Sequence, residues 1–503
     1  MAALLVAAKV IRDSHMTQRD QLEISLSSAY NRPLSVYDPA LIENAPQHII
    51  LGNIYSPLLE YTNAGQLSSA IASSFGWNGN EAHFRIRPGL KTIDGENIDA
   101  YDVENTFKRL FILKSNTHGD IKSILCPGAK LKSLSDKCTN IEVRQDGALL
   151  VIKFKKSNTY LFPMLTAMDY AIIPKKSLDQ KSLKIVDYRN TSGPYWIEEN
   201  TDTHMVMRSN PHNFHYSGKM PQRVKFVYIK NTKADTPLGM FLDKKINHIA
   251  TVGSSPEILL SHFSNKEDVS MHLTEPMWLR YVTFTTRGRQ ELAEKQRIRI
   301  ANTLKKILLD GFLKLNGYVD APQLFPSFGK GSLSSEELLK IKAKYDAETG
   351  EDVFTEKMIA WFFPKRYIDR LKKHFPNTEF VDGKKVPCFI NPKDRDENYP
   401  HFYFAGTDMG FQEDISLLSY KINTEIFHLT GKDGERWIKE YIKEDSDEKK
   451  IGMLKKLHYD ALYKAATIPI VFCPYVSVVR SPWKLDFPRY TYDNNFWQIQ
   501  YGK

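Results

Sequence analysis

Strand-like and helical segments alternate along the whole chain, without an obvious linker or an internal repeat. Residues 22–26 alternate apolar and polar side chains as a half-buried strand does, whereas Arg297–Phe312 carries its apolar residues at helical spacing. At 503 residues the chain is too long for one ordinary hydrophobic core. The pattern therefore predicts an α/β protein of two or three domains with interwoven strands and helices.

Periodicity and turn signals predict the remaining elements. Strands are expected at 83–87, 149–155, 224–229, 278–285 and 468–479, and helices at 47–60, 100–111, 337–345, 365–374 and 447–466. Asp99 directly precedes one of these helices and is suited to cap its free backbone N–H groups. The pair Gly193-Pro194 permits a sharp bend into the next strand.

Composition excludes several classes of protein. Hydrophobic residues make up 42% of the chain, which is typical of a packed protein and excludes extensive disorder. The net charge of +10 is dispersed in short runs, which favours a solvated surface over a nucleic-acid interface. No segment is apolar for the roughly 20 residues that a membrane helix needs.

The cysteines leave two interpretations open. Cys126 and Cys138 bracket a polar loop, where a local disulfide would suit an oxidising compartment, but they are equally compatible with two unrelated thiols. Cys388 and Cys473 lie in apolar segments and are expected to be buried. Residues 1–18 resemble a leader remnant or a tag rather than part of the fold.

Sequence motifs for catalysis are missing. The chain contains no nucleophile elbow, zinc-protease motif, phosphate-binding loop or dinucleotide fingerprint. His212 and His215 lie three residues apart, but two histidines alone do not make a metal site, and we interpret them as exposed loop side chains. We therefore predict no enzyme activity, cofactor or metal.

Five segments, in order along the chain, carry a family resemblance. The most specific reads Phe-Arg-Ile-Arg-Pro-Gly-Leu-Lys at 84–91, followed by Asp-Gly-Glu at 94–96 and Asp-Ala-Tyr-Asp-Val at 99–103. The other markers are at 53–72, 191–211, 297–301 and 468–480. Together they resemble family 5 extracellular solute-binding proteins, the oligopeptide- and dipeptide-binding components of ABC transporters.

The resemblance implies a fold. It predicts a two-lobed α/β periplasmic-binding-protein fold of type II, with an extra subdomain, two hinge-crossing strands and a ligand cleft between the lobes. Carried onto this chain, the first lobe spans 19–277 and 480–503, with the subdomain at about 55–180, and the second lobe spans 278–479.

The same resemblance implies ligand contacts. Glu43 matches an acidic residue that lines the family's cleft, although it is equally compatible with a surface carboxylate. The segment 404–411 resembles the family's Gly-Trp-x-Ala-Asp-Tyr stretch, but Gly410 stands where the amine-binding aspartate belongs. Asp408 lies two residues earlier, on the same face of a strand, and is the expected substitute. The remaining expected contacts are Trp278, Tyr281, Thr283, Gly406, Thr407, Met409 and Phe411.

Trp278 and Tyr281 could instead lie in the hydrophobic core, but their place beside the expected hinge favours the ligand contact.

The resemblance implies a periplasmic or otherwise extracytoplasmic monomer that captures a peptide or other small polar solute. The solute would pass to an inner-membrane ABC transporter permease, without any nucleic-acid partner. The alternative function is a sensor or scaffold domain of the same fold that signals to a partner protein.

Overall fold

The structure is a computed structural model. It describes residues 22–27, 37–42, 45–62, 66–113, 125–126, 131–155, 158, 161–229, 236–251, 255–348, 353–382, 397–409, 418, 421–422, 424–429, 431–487, 489 and 495–502. The chain divides into two compact units. Unit 1 comprises Met1–Ser157, Leu161–Leu273 and Val476–Lys503, and unit 2 comprises Asn158–Tyr160 and Thr274–Tyr475.

Strands and helices alternate through the described residues. The strands are β1 Leu22–Ser27, β2 Leu59–Tyr61, β3 Leu67–Ser69, β4 Ala72–Asn78, β5 Glu81–Ile86, β6 Ile141–Arg144, β7 Leu149–Lys153, β8 Tyr195–Asn200, β9 His204–Ser209, β10 Arg223–Ile229, β11 His248–Ala250, β12 Val269–Leu273, β13 Trp278–Phe284, β14 Val319–Asp320, β15 Met358–Trp361, β16 Thr378–Val381, β17 Phe402–Asp408, β18 Thr467–Cys473, β19 Val476–Arg480, β20 Trp483–Leu485 and β21 Ile499–Tyr501.

The α-helices are α1 Ala45–Ile54, α2 Ala100–Ile112, α3 Leu161–Met164, α4 Pro237–Leu242, α5 Pro256–Phe263, α6 Thr286–Glu291, α7 Glu294–Leu313, α8 Ser335–Ala347, α9 Lys365–His374, α10 Gly431–Lys443 and α11 Asp447–Tyr463. Short 3₁₀ turns lie at Pro39–Leu41, Met168–Tyr170, Lys175–Ser177 and Phe496–Gln498. Asp99 caps α2 as predicted, because its Oδ1 accepts hydrogen bonds from the backbone N–H of Tyr101 (2.8 Å) and Asp102 (3.3 Å).

Unit 1 is built on a mixed sheet in the order β12-β19-β11-β1-β10-β9-β8 within the described part of the chain. Parallel pairing joins β1 to β10 and β11, and antiparallel pairing joins the other neighbours. A second, antiparallel sheet in the order β4-β5-β7-β6 lies within residues 72–153, inside the range predicted for the extra subdomain. The main sheet packs its apolar side chains against α1 and the chain's last residues.

Unit 2 contains a sheet in the order β14-β18-β13-β17-β15-β16 among its described residues. Its central strand β13 pairs antiparallel with both β17 and β18, and β15 pairs parallel with β16 and β17. The long helix α7, predicted at 297–312, buries Ile300, Leu304 and Leu308 against the sheet. This packing holds β13 and β17, the two strands that carry most of the expected ligand contacts.

Two predicted elements are wrong in extent. The helix predicted at 47–60 ends at Ile54, since Pro57 has no N–H to donate, and the chain then continues into strand β2. The strand predicted at 468–479 is two strands, β18 in unit 2 and β19 in unit 1, with Pro474 between them. Both errors arise because an apolar run does not reveal where the chain changes direction.

The cysteine alternatives are resolved in part. Cys126 and Cys138 form a disulfide, with their Cα atoms 5.5 Å apart. Cys473 is fully buried in β18, where its thiol donates to the carbonyl of Trp278 (3.6 Å), which confirms its prediction as a buried residue. Cys388 lies outside the described residues, as do residues 1–18.

His248 on β11 is buried without a polar partner. Only 1% of the residue is exposed, and neither ring nitrogen has a hydrogen-bond partner within the described structure. Its ring lies edge-on to Phe496, with the two ring centroids 6.1 Å apart. Desolvation by this apolar surrounding lowers the pKa of His248 to about 3, so the folded protein keeps the imidazole neutral.

Replacing His248 by leucine is therefore expected to stabilise the protein by about 1–3 kcal/mol at pH 7, since it removes two unsatisfied polar atoms from the core. Because the folded pKa is depressed, wild-type stability relative to the variant is lost as the pH falls from about 6.5 towards 3. The gap between the two melting temperatures should therefore widen between pH 7.5 and 4.5. His262→Leu, at an exposed position on α5, is the control whose gap should stay flat. A His248→Leu gap independent of pH would contradict the burial of a neutral imidazole.

Candidate functional site

Most of the expected ligand contacts lie on two neighbouring strands of unit 2. Strand β13 runs antiparallel to β17, so that Trp278 lies opposite Asp408, Tyr281 opposite Ala405 and Thr283 opposite Tyr403. The backbone N–H of Met409 donates to the carbonyl of Met277 (3.1 Å), which extends the ladder by one pair beyond Asp408. The next pair, Trp278 and Asp408, is therefore a non-hydrogen-bonded pair, in which the two side chains lie closer together than in a hydrogen-bonded pair.

The ladder divides these contacts between the two faces of the sheet, because directly opposed residues share a face. Trp278, Gly406 and Asp408 lie on the face that also carries Val282 and Phe404. Tyr281, Thr283 and Thr407 lie on the opposite face. The sequence predicted all six as contacts of one ligand site, whereas the structure places three of them on each face of the sheet.

On the first face, a carboxylate and an indole lie side by side. Asp408 is 4% exposed, whereas Trp278 is partly exposed and packs against the core beneath the sheet. Farther along the same face, Val282 and Phe404 belong to the core packed against α7. The first face thus changes from apolar packing to polar side chains towards the end where β13 begins and β17 ends.

On the second face, Thr283 has a structural role. It is fully buried, and its hydroxyl is hydrogen-bonded to the carbonyls of Glu425 (2.9 Å) and Ala466 (3.1 Å) and to the hydroxyl of Thr467 (2.6 Å). The rings of Tyr281 and Tyr403 meet edge-on, with their centroids 6.4 Å apart. These contacts attach the segment around residue 425 to the sheet, and a ligand contact by Thr283 stays a prediction.

Glu425 is a buried carboxylate that the sequence did not single out. It is fully buried, with φ of +63°, and its carboxylate accepts hydrogen bonds from the Thr286 hydroxyl (2.9 Å), Arg289 Nη2 (3.1 Å) and the Tyr399 hydroxyl (3.2 Å). Burial lowers the pKa of the Arg289 guanidinium, and the adjacent Glu425 opposes that shift. No local pattern could have revealed this residue, since its partners are far from it in sequence.

Arg280 is a second residue that the sequence analysis missed. It lies on β13 opposite Gly406 and shares the face of Trp278 and Asp408. A signal was present, because Arg280 is the one charged residue in the otherwise apolar and aromatic stretch Trp-Leu-Arg-Tyr-Val-Thr-Phe at 278–284.

Glu43 and Phe411 lie outside the described residues, so their predicted contacts stay predictions. Met409 is fully buried at the end of β17.

The expectation that His215 is an exposed loop residue is wrong. Its ring stacks on Trp497 with the centroids 3.6 Å apart, and its Nε2 lies 3.1 Å from a Glu60 carboxylate oxygen.

Residues 66–304 match a protein family described as "Bacterial extracellular solute-binding proteins, family 5 Middle". This segment belongs to family 5. The match confirms, over these residues, the resemblance to solute-binding proteins seen in the sequence markers. No relative was found among curated protein sequences.

Solved structures confirm the fold of this chain over nearly its whole length. The murein tripeptide binding protein MppA of Escherichia coli has a TM-score of 0.70 at 14% identity, covering 97% of this chain and 99% of that protein. NikA of Brucella suis, solved with Fe(III)-EDTA, has a TM-score of 0.71 at 14% identity and covers 95% and 99% of the two chains. A periplasmic oligopeptide-binding protein of Borrelia burgdorferi has a TM-score of 0.70 at 16% identity, with coverage of 95% and 99%.

The predicted fold class, a two-lobed periplasmic-binding-protein fold of mixed strands and helices, is thereby confirmed. The family is extracellular, and its members are binding proteins. Within the described residues, no helix combines the length and the apolar character that crossing a bilayer requires.

Proposed function

We propose that this family 5 protein captures a peptide or another small polar solute and delivers it to the permease of an ABC importer. The family match supports solute binding, and two of the neighbours above are named for peptides. Relatives of the same fold were also solved with Ni(L-His) and with agropinic acid. The fold therefore accepts chemically different solutes, and the solute class has to come from this chain's own side chains.

The observation that carries the proposal is the pair formed by Asp408 and Trp278. A carboxylate beside an indole is suited to bind an ammonium group, since the carboxylate supplies a charge-assisted hydrogen bond and the ring a cation–π contact. Asp408 is held at the end of β17 by the ladder to β13. The amino terminus of a peptide is a solute group of this kind.

A periplasmic or otherwise extracytoplasmic location is part of the proposal. The disulfide between Cys126 and Cys138 supports it, because disulfides persist in oxidising compartments. The protein would act as a monomer that meets its permease partner there. The lobe assignment of 19–277 with 480–503 and 278–479 also stays a proposal, supported by a division of the chain into units between Leu273 and Thr274 and between Tyr475 and Val476.

A thermal-shift assay on ligand-free protein tests the function. Short peptides with a free amino terminus are expected to raise the melting temperature, because a ligand that binds only the folded state stabilises it by mass action. Asp408→Asn should abolish the rise while leaving the ligand-free melting temperature within a few degrees of wild type. N-acetylated peptides should have no effect on either protein.

Asp433→Asn is the matched control, since Asp433 is an exposed carboxylate paired with Arg436 on α10. It should respond to peptides as the wild type does. No rise with peptides, oligosaccharides or metal chelates would contradict transport-type capture and would favour a sensor or scaffold protein instead.

A further inference from the structure

Helix α9 and strand β16 border a groove in unit 2. In the described part of the unit 2 sheet, β16 is an edge strand that pairs with β15 alone. The groove has a volume of about 410 Å³. The helix contributes Lys365, Ile368 and Lys372 to its lining, and the strand contributes Glu379 and Phe380. Helical spacing puts the first three residues on one side of α9, so that this side of the helix forms a wall next to the strand edge.

The backbone of β16 has an open edge beside this groove. An edge strand directs part of its N–H and C=O groups away from its one neighbour. Among the described residues, the backbone groups of Glu379, Phe380 and Val381 make hydrogen bonds only in the ladder to β15. Such an edge is a template for a strand from another chain, and a pocket beside it selects the side chains of that strand.

The wall formed by α9 is both apolar and cationic. Ile368 is half-buried, and Phe380 packs against the core of unit 2 at the other side of the groove. Lys365 pairs with Asp382 (3.1 Å), whereas Lys372 is exposed and has no ion pair within the described structure. The whole helix carries five Lys and Arg residues against one Asp, so it favours an acidic partner.

We propose that the groove docks an extended segment of a partner protein, which adds a strand to β16 and carries an acidic side chain two residues from a large apolar one. Ile368 and Lys372 are four residues apart on α9, about 6 Å along the helix axis. Side chains two residues apart in a strand share a face and lie about 7 Å apart, so one can contact Ile368 while the other pairs with Lys372. This inference goes beyond solute capture, because no residue of the groove is among the expected ligand contacts.

The test is titration calorimetry of the full chain with the peptide N-acetyl-Thr-Glu-Thr-Leu-Thr-Glu-Thr-amide. Its acetylated amino end keeps it from the amine contact proposed for Asp408, so the result is independent of solute capture. Ile368→Ser and Lys372→Glu are each expected to weaken binding about tenfold, the range of a lost apolar contact and of one reversed charge. Lys373→Glu is the matched control, since it makes the same charge change at an exposed position of α9 outside the groove lining. It should bind the peptide within about twofold of wild type.

Strand pairing is tested through the backbone of the same peptide. N-methylation at every second residue removes the donors on one side of an extended chain. Of two peptides, one N-methylated at its Thr residues and the other at its Glu and Leu residues, only one should lose binding. Hydrogen exchange of the backbone amides at 379–381 should slow when the unmodified peptide binds.

Three results would each overturn the docking site while leaving the proposed function intact. They are no binding of the unmodified peptide, equal binding of the two N-methylated peptides, and equal loss of binding in Lys372→Glu and Lys373→Glu. Without peptide binding, two further measurements would assign the surface to a different occupant. Binding of phosphatidylglycerol vesicles would assign α9 to an anionic membrane surface, and a dimer that Ile368→Ser dissociates would assign the groove to a second copy of the chain.

Discussion

Replacing Arg109 by methionine is expected to lower the free energy of unfolding by about 3–5 kcal/mol, among the largest effects of any single substitution in unit 1. Arg109 lies on α2 and is 1% exposed, and its partner Asp38 is 5% exposed. The substitution removes the cation and leaves the aspartate as an uncompensated buried charge. Such a charge costs several kcal/mol, whereas the pair itself contributes little.

The geometry explains why no other group can take over. Arg109 Nη1 donates to Asp38 Oδ1 (3.0 Å), Nη2 pairs with the other carboxylate oxygen, and Nε donates to the carbonyl of Leu183 (2.7 Å). Leu183 has φ of +56°, a conformation that a leucine adopts at a cost unless contacts hold it. Asp38 Oδ1 also caps the turn Pro39–Leu41 through the N–H of Ala40 (3.0 Å). One guanidinium therefore joins α2 to two separate loops.

The effect is measured by urea denaturation monitored by circular dichroism, as the shift in the urea midpoint of the unfolding transition that Arg109→Met changes. Arg208→Met is the matched control, because Arg208 also pairs with a carboxylate, that of Glu198 (2.6 Å), but in a partly exposed position, where such pairs contribute less than about 1 kcal/mol. The double variant Asp38→Asn with Arg109→Met keeps an amide at the cap and removes both charges, so it should recover part of the loss. A cost below about 1 kcal/mol for Arg109→Met would show that the Asp38 carboxyl is solvated or neutral.

Local signals in the sequence were sufficient for most of the fold. Apolar periodicity located α7 and α9 to within a few residues, and Asp99 marked the start of α2 because capping depends only on neighbouring residues. The same periodicity could not mark the end of α1 or the break between β18 and β19. The break between β18 and β19 depends on the unit that the chain enters next, which is a property of the tertiary structure, whereas α1 ends ahead of Pro57, a local signal that the apolar run concealed.

The candidate site was less predictable for a related reason. The sequence could place Trp278, Gly406 and Asp408 on strands, but not in register, and register decides which side chains share a face. It therefore grouped Thr283 with them, although the hydroxyl of Thr283 is occupied by bonds to residues 425, 466 and 467. It also missed Arg280, because the position of Arg280 opposite Gly406 depends on the same strand register.

The segment Thr-Ser-Gly-Pro-Tyr at 191–195 shows how a sequence marker acquires a physical meaning. The sequence indicated only that Gly193 permits a bend. In the structure its N–H donates to the carbonyl of Ile54 (2.9 Å), so the chain passes directly against the end of α1. The neighbouring Ser192 hydroxyl accepts from the N–H of Ser56 (3.1 Å) and donates to the carbonyl of Ile172. Gly193 thus lies directly against the end of α1, and the neighbouring Ser192 joins the same segment to residue 172.

Gly193→Ala is accordingly expected to destabilise the protein by about 3 kcal/mol or more. The new Cβ would overlap the carbonyl carbon of Ile54 and lie 2.6 Å from the backbone nitrogen of Tyr55, and backbone atoms of a helix end cannot move aside as a flexible side chain can. Gly76→Ala on β4 is the control, because no atom lies within 4 Å of its added Cβ. That variant should stay within about 1 kcal/mol of wild type, since alanine in a strand costs no more than glycine. The test is a comparison of the melting temperatures of both variants with that of wild type. A Gly193→Ala protein that melts with wild type would mean that α1 and the 191–195 segment are farther apart than the structure has them, and that the marker is a turn signal alone.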